Sequence, residues 1–118
     1  EISVYLRCVE GQTDIYVGGI DLVDNELRSC DMSSEGDFGV VDFRVDDEEM
    51  FTHRLTPTSN RFFLRLAGED AVSTIENMIG AQRLRVRFTP FNTSPQVAEF
   101  DITGLGDVIT PLRQTCNW

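Results

Sequence analysis

Two stretches near the C-terminal end of the chain, residues 82–90 (QRLRVRFTP) and residues 96–103 (QVAEFDIT), decide the fold. Both alternate apolar and charged residues, which is the period of a β-strand with one buried face. Paired antiparallel, they can be aligned so that apolar residues meet apolar residues while Arg87 meets Glu99 and Arg85 meets Asp101. A shift of one residue would place apolar side chains opposite charged ones, so we predict a hairpin in this register.

The same alternation predicts strands in the first half of the chain. The predicted strands are residues 2–9, 13–17, 40–46, 50–55 and 61–67. The first two form a hairpin over residues 2–17, and the next two form a second hairpin across the acidic turn at residues 46–49. Residues 20–38 are irregular and predict a loop with one short strand or helical turn near residues 22–27.

Helical spacing appears twice. Residues 69–79 place acidic side chains in the first turn and end before Gly80, which predicts a helix with a left-handed C-terminal cap. Near the end, a turn at residues 105–109 precedes a short helix over residues 111–116, with Thr110 as N-cap and Pro111 at the first helical position. We therefore expect a mainly β domain: an antiparallel curled sheet or sandwich with one packed helix and a short C-terminal helix.

Length and composition bound the function. The 118 residues suit a single domain, and the hydrophobic fraction of 41% is too high for a disordered chain. The net charge is −10 and all ten basic residues are arginine, so a nucleic-acid backbone or an anionic lipid surface would be repelled. No apolar run approaches the length of about 20 residues that a membrane span needs. The chain starts at Glu1, so we expect that any signal peptide has been removed.

The chain has three cysteines, Cys8, Cys30 and Cys116, so at least one thiol lies outside any intramolecular disulfide. Spacing does not choose among the three possible pairings. Together with His53, the cysteines could in principle make a zinc site, but such sites usually take ligands in close pairs. We therefore predict no metal site and no cofactor.

Other candidate sites have simpler structural interpretations. His53 is the only histidine, and no nucleophile motif lies near it, so an ordinary imidazole on a strand is favoured over catalysis. The acidic turn at residues 46–49 could bind calcium but lacks the EF-hand pattern. Arg83, Arg85 and Arg87 form a basic stripe that is either a partner site or is neutralised by the neighbouring strand, and neutralisation is the simpler interpretation. Phe91 and Trp118 are candidate aromatic contacts, although a tryptophan at a chain end often packs on the core.

Several short motifs resemble a known family. The first is YLRC at residues 5–8, followed after a turn by TDIYV at residues 13–17. The second group comprises LRVRFTPFN at residues 84–92, SP at 94–95, AEFDI at 98–102 and GL at 104–105, and it closes with PLR at 111–113, Cys116 and Trp118. This order of motifs is similar to that of the VasI/TagO-type proteins, which are accessory proteins associated with bacterial type VI secretion. Asn117 stands where that family commonly has glycine.

The resemblance implies an exported protein, periplasmic or secreted, with no known catalytic activity. It also implies that Cys8 and Cys116 are the recurring cysteines of the family and are bridged to each other. Cys30 is then the cysteine outside this disulfide. The expected partner is another envelope or secretion-system protein, bound through sheet edges, loops or the arginine stripe. Two alternatives remain open: a phage or virion structural or exclusion protein on the same scaffold, and an envelope hydrolase or sugar-binding module.

Overall fold

The computed structural model describes residues 2–18, 39–58, 63–88 and 95–118, which contain seven strands and three helices. The strands are β1 (Ser3–Val9), β2 (Gln12–Gly18), β3 (Gly39–Val45), β4 (Phe51–Pro57), β5 (Phe63–Ala67), β6 (Arg83–Phe88) and β7 (Gln96–Asp101). The helices are α1 (Glu69–Met78), α2 (Leu105–Val108) and α3 (Thr110–Cys116). One antiparallel sheet orders its strands β1-β2-β5-β4-β3-β6-β7. The predicted curled sheet with a packed helix and a short C-terminal helix is confirmed.

Both predicted hairpins in the first half are present. β1 and β2 pair from Ser3 with Gly18 to Val9 with Gln12, and β3 pairs with β4 across the acidic turn. The turn residues Glu10 and Gly11 have φ of 52° and 80°. Two successive positive φ angles match the right-handed twist of the flanking strands, which favours this tight connection.

The hairpin of β6 and β7 forms, but the predicted register is wrong by two residues. Arg85 lies opposite Glu99 rather than Asp101, and Arg87 lies opposite Val97. A shift of two residues keeps every side chain on its predicted face, because the side-chain period of a strand is two. The carboxylate for Arg87 comes instead from Asp42 of β3, the neighbour of β6 on its other side, which the hairpin alone did not reveal.

Helix α1 covers one face of the sheet through its buried residues Ala71, Thr74, Ile75 and Met78. Its predicted end at Gly80 is confirmed by a φ of 87° there. The predicted N-cap of the last helix is wrong: Ile109 occupies the cap position and Thr110 is the first helical residue. The hydroxyl of Thr110 donates to the Gly106 carbonyl 3.1 Å away, so it is bonded back to the preceding turn instead of capping α3.

The two faces of the sheet differ sharply. The inner face, against α1, carries the buried apolar side chains of the strands. Its fully buried members include Ile15, Val17, Val41, Phe43, Leu55, Leu64, Leu84 and Val86. The side chains that alternate with them point to the outer face, which carries most of the charged residues of the strands. The short element predicted near residues 22–27, together with Cys30 and Phe91, lies outside the described residues.

Candidate functional site

The outer face of the sheet collects nearly all the described arginines. Those on this face are Arg7, Arg44, Arg54, Arg65, Arg83, Arg85 and Arg87. Of the arginines that the structure describes, Arg113 alone lies elsewhere, on α3. Strand residues on the same face supply four carboxylates, from Asp14, Asp42, Glu99 and Asp101. Among the described strand residues of this face, arginines therefore outnumber carboxylates, although the acidic turn at residues 46–49 lies among the arginines at one end.

Each arginine of the predicted stripe on β6 has a carboxylate partner. Arg83 pairs with Asp47 at 3.2 Å, Arg85 with Glu99 at 2.9 Å, and Arg87 with Asp42 at 3.8 Å. The hydrogen bond from Arg85 lowers the pKa of Glu99, which keeps that carboxylate charged. These exposed pairs add little stability individually. They do neutralise much of the positive charge on the stripe, which agrees with the interpretation that neighbouring acidic residues balance it.

A shallow depression of about 460 Å³ runs beside the stripe and exposes two apolar side chains, Met50 and Val97. Arg85 and Arg87 form part of its wall, and the acidic turn forms another part. Mixed charge and exposed apolar area are compatible with a protein contact. A role of this stripe as a partner site stays a proposal.

Sequence reasoning missed a second group on the outer face, at the opposite end of the sheet. Tyr5, Tyr16 and Phe63 come from β1, β2 and β5, and their rings meet edge to face at 5.5 and 6.3 Å between centroids. The guanidinium of Arg7 lies 5.6 Å from the centre of the Tyr16 ring. Arg65 lies beside Tyr16 in the next strand. We call these five residues the aromatic–arginine patch.

The sequence contained part of the signal for this patch. Alternation in β1 places Tyr5 and Arg7 on the face opposite to Leu6. It could not show that β5, which follows β2 by more than 40 residues, pairs with β2 and brings Phe63 alongside. Long-range strand order is not encoded in local periodicity.

The acidic turn has a structural role. The Oδ1 atom of Asp46 accepts the backbone N–H groups of Gln82 and Arg83 at 3.0 and 2.9 Å. These two bonds hold the pKa of Asp46 below its ordinary value. The carboxylate therefore fastens the β3–β4 turn to the start of β6. Within the described ranges, no three His, Cys, Asp or Glu side chains are arranged to hold a metal ion.

His53 is packed between the sheet and α1. Its ring contacts Phe43 and Phe51 at centroid distances of 6.0 and 5.6 Å, and its Nε2 lies 3.3 Å from the Thr74 hydroxyl. That hydroxyl donates its hydrogen to the Asp70 carbonyl at 2.8 Å. Because a hydroxyl has one hydrogen to give, Nε2 must be the donor to Thr74. The imidazole is thus packed against two aromatic rings and bonded to α1 through Thr74.

The C-terminal segment is fastened to the first hairpin. A disulfide joins Cys8 of β1 to Cys116 of α3, with 5.8 Å between their Cα atoms and a sequence separation of 108. The indole N–H of Trp118 donates to the Thr13 hydroxyl at 2.7 Å, and the Arg113 guanidinium lies 4.9 Å from the indole ring centre. Trp118 is consequently half-buried against the core, and it lines two surface depressions, so its role as a partner contact stays a prediction.

Comparison with known proteins identifies the family of this fold. The family model described as type VI secretion system VasI, EvfG matches residues 3–118. The chain belongs to the VasI family. No curated protein and no solved structure gives a match. The VasI match extends the sequence resemblance, which was carried mainly by residues 82–118, over both hairpins and α1. Among the described helices of this VasI chain, none combines the length and apolar character needed to span a membrane.

Proposed function

We propose that this VasI-family chain is a non-catalytic accessory protein of type VI secretion that works outside the cytosol by binding another protein of the envelope or of the secretion system. The match to the family model over residues 3–118 carries the association with type VI secretion. An accessory role is the simplest one for a domain whose two ends are joined by a disulfide and whose histidine is used in packing.

The disulfide supports export. Bridges persist in oxidising compartments such as the bacterial periplasm and are rare in the reducing cytosol. The bridge between Cys8 and Cys116 joins the first strand to the last helix, and the neighbouring bond between Trp118 and Thr13 holds the same two segments together. Both contacts suit a domain that matures after export.

The mode of action follows from the surface. Arginine and tyrosine are enriched at the centres of protein interfaces, and the outer face offers both. The described pockets are open depressions on the surface, and none of them encloses His53 together with two acids. A binding surface accounts for these features without a reaction.

The experiment is complementation in the native host. Deleting the gene should lower secretion of the system's substrate proteins, and the full-length gene should restore it. A version denied export should fail to complement, although it accumulates to the same level. A cytosolic version that complements fully, or a deletion without any effect on secretion, would contradict the proposal.

Non-reducing peptide mapping of the exported protein supplies the second readout. The peptide of Cys8 should be recovered bound to the peptide of Cys116. A bridge from Cys8 to Cys30, or free thiols at both Cys8 and Cys116 in the native compartment, would remove the support for export.

A further inference from the structure

The outer face holds its arginines in two different states. The stripe on β6 is paired, since a carboxylate lies within 4.0 Å of each of its three arginines. In the aromatic–arginine patch, neither Arg7 nor Arg65 has a carboxylate within that distance among the residues that the structure describes. Arg7 and Arg65 therefore lack an acidic partner in these ranges, at the end of the sheet where the sequence predicted no site, whereas the guanidinium of Arg44 donates to the backbone carbonyls of Asp47 and Glu48.

The carboxylate opposite Arg7 in the sheet already has other hydrogen-bond partners. Asp14 lies opposite Arg7 in the β1–β2 ladder and is only 2% exposed. Its oxygens accept bonds from the Gln12 amide at 3.1 Å and the Tyr16 hydroxyl at 3.3 Å. Asp14 thus orients Tyr16, while the guanidinium of Arg7 rests over the ring of the same tyrosine.

The aromatic side chains form a fixed platform. Tyr5 is 50% exposed, and its ring meets the ring of Phe63 edge to face. The backbone of Phe63 is held in place by two bonds to Thr58: the Thr58 N–H donates to the Phe63 carbonyl at 2.8 Å, and the Phe63 N–H donates to the Thr58 hydroxyl at 3.4 Å. Rings that are ordered before binding lose little conformational entropy when a ligand settles on them.

Four residues of the patch line an open depression of about 460 Å³ together with Thr58: Tyr5, Arg7, Tyr16 and Phe63. Three of the lining side chains are aromatic and one is cationic, and Arg65 lies outside the depression, opposite Tyr16 in the ladder. A segment with both an apolar side chain and a carboxylate would satisfy the two features at once. Arginine is well suited to such a ligand because its planar fork matches a carboxylate with two parallel hydrogen bonds.

We propose that the aromatic–arginine patch is the site at which this chain binds an acidic peptide segment of a partner protein, with an apolar side chain of that segment on Tyr5 and Phe63 and its carboxylates on Arg7 and Arg65. The inference rests on the proposed function, since it names the chemistry of the partner surface. It moves the contact site away from the arginine stripe on β6.

The test is a peptide-display selection with a randomised library of about twelve residues on the immobilised full chain. The enriched sequences should contain Asp or Glu next to an aromatic or aliphatic residue. The best peptide should shift the amide resonances of Tyr5, Tyr16 and Phe63 in a titration followed by NMR. Arg7→Ala and Arg65→Ala should each weaken binding about threefold to fivefold, as expected for one exposed ion pair.

The matched control is Arg85→Ala, which removes an arginine from the same face but from the paired stripe. This variant should bind the selected peptide like the parent chain. The proposal is overturned if no sequence is enriched, if the enriched sequences lack acids, or if Arg85→Ala weakens binding as much as Arg7→Ala. Binding of soluble cell-wall fragments at Tyr5 in place of acidic peptides would overturn it as well.

The two proposals can fail separately. Complementation in the host measures the role in secretion, whereas the selection measures the chemistry of the patch on the isolated chain. A secretion defect that is rescued fully by the doubly substituted Arg7→Ala, Arg65→Ala chain would leave the proposed function intact and remove this site from it.

Discussion

Removing the disulfide is the sharpest test of how the chain is stabilised. The double substitution Cys8→Ser and Cys116→Ser opens a loop that spans 108 residues. By the chain-entropy relation, closing a loop of that length lowers the entropy of the unfolded chain enough to stabilise the fold by about 4–5 kcal/mol. Small domains are stable by about 5–15 kcal/mol in total, so the loss should be a large part of the whole.

The assay is urea unfolding at pH 7, followed by far-UV circular dichroism. Taking a slope of about 1.5 kcal/mol/M, the midpoint of the double variant should fall by about 3 M. The slope itself should rise, because an unfolded chain without the cross-link exposes more surface to denaturant. The bond from the Trp118 indole to the Thr13 hydroxyl still links the two segments in this variant.

The control is Cys30→Ser, which removes a thiol and should leave the bridge between Cys8 and Cys116 in a non-reducing peptide map. A double variant that loses less than about 1 kcal/mol would refute the reasoning, because chain entropy alone requires a loss several times larger for a loop of this length.

Three further expectations concern single residues. Thr13→Val should lower the free energy of unfolding by about 1–3 kcal/mol, because the Trp118 indole N–H loses its acceptor; an unchanged urea midpoint would contradict this. Gly80→Ala should lower the free energy of unfolding, measured by thermal unfolding, by about 1 kcal/mol. The residue has a φ of 87° and an added Cβ would meet nothing within 4 Å, so backbone strain is the only cost. A larger loss would indicate a steric clash and contradict this. The pKa of Asp46 is lowered in the folded chain, so its contribution to stability is present above about pH 4 and is lost as the pH falls through the folded pKa. Asp46→Asn should therefore flatten the acid side of the plot of unfolding free energy against pH. An unchanged plot would refute this.

Local patterns predicted most of the elements. The strand of β6 was predictable because three arginines alternate with three apolar residues, and α1 was predictable because its apolar spacing ends at Gly80. The register of β6 and β7 was wrong because charge pairing was judged within the hairpin. Strand β3 also borders β6, and it supplies Asp42 for Arg87.

The candidate site was harder to predict than the fold. The arginine stripe is visible in a single strand, so its alternation stands out in the sequence. The aromatic–arginine patch is assembled from three strands, of which β5 is distant in sequence from β1 and β2. Trp118 was a candidate contact residue because of its residue type alone. In the folded chain its indole N–H bonds to Thr13, which links the end of α3 to β2.

Charged side chains are distributed unevenly between the two faces of the sheet. Acidic residues outnumber basic ones by twenty to ten, yet seven of the described arginines share the outer face. The net field of the chain is negative, so an acidic segment at the proposed site would be attracted by the arginines only at short range, and this attraction weakens as salt is added. The stripe on β6 contributes less to it, since Asp42, Asp47 and Glu99 lie beside its arginines. The rate constant of association through the patch should accordingly fall as ionic strength rises. The apolar contact with Tyr5 instead limits the rate constant of dissociation.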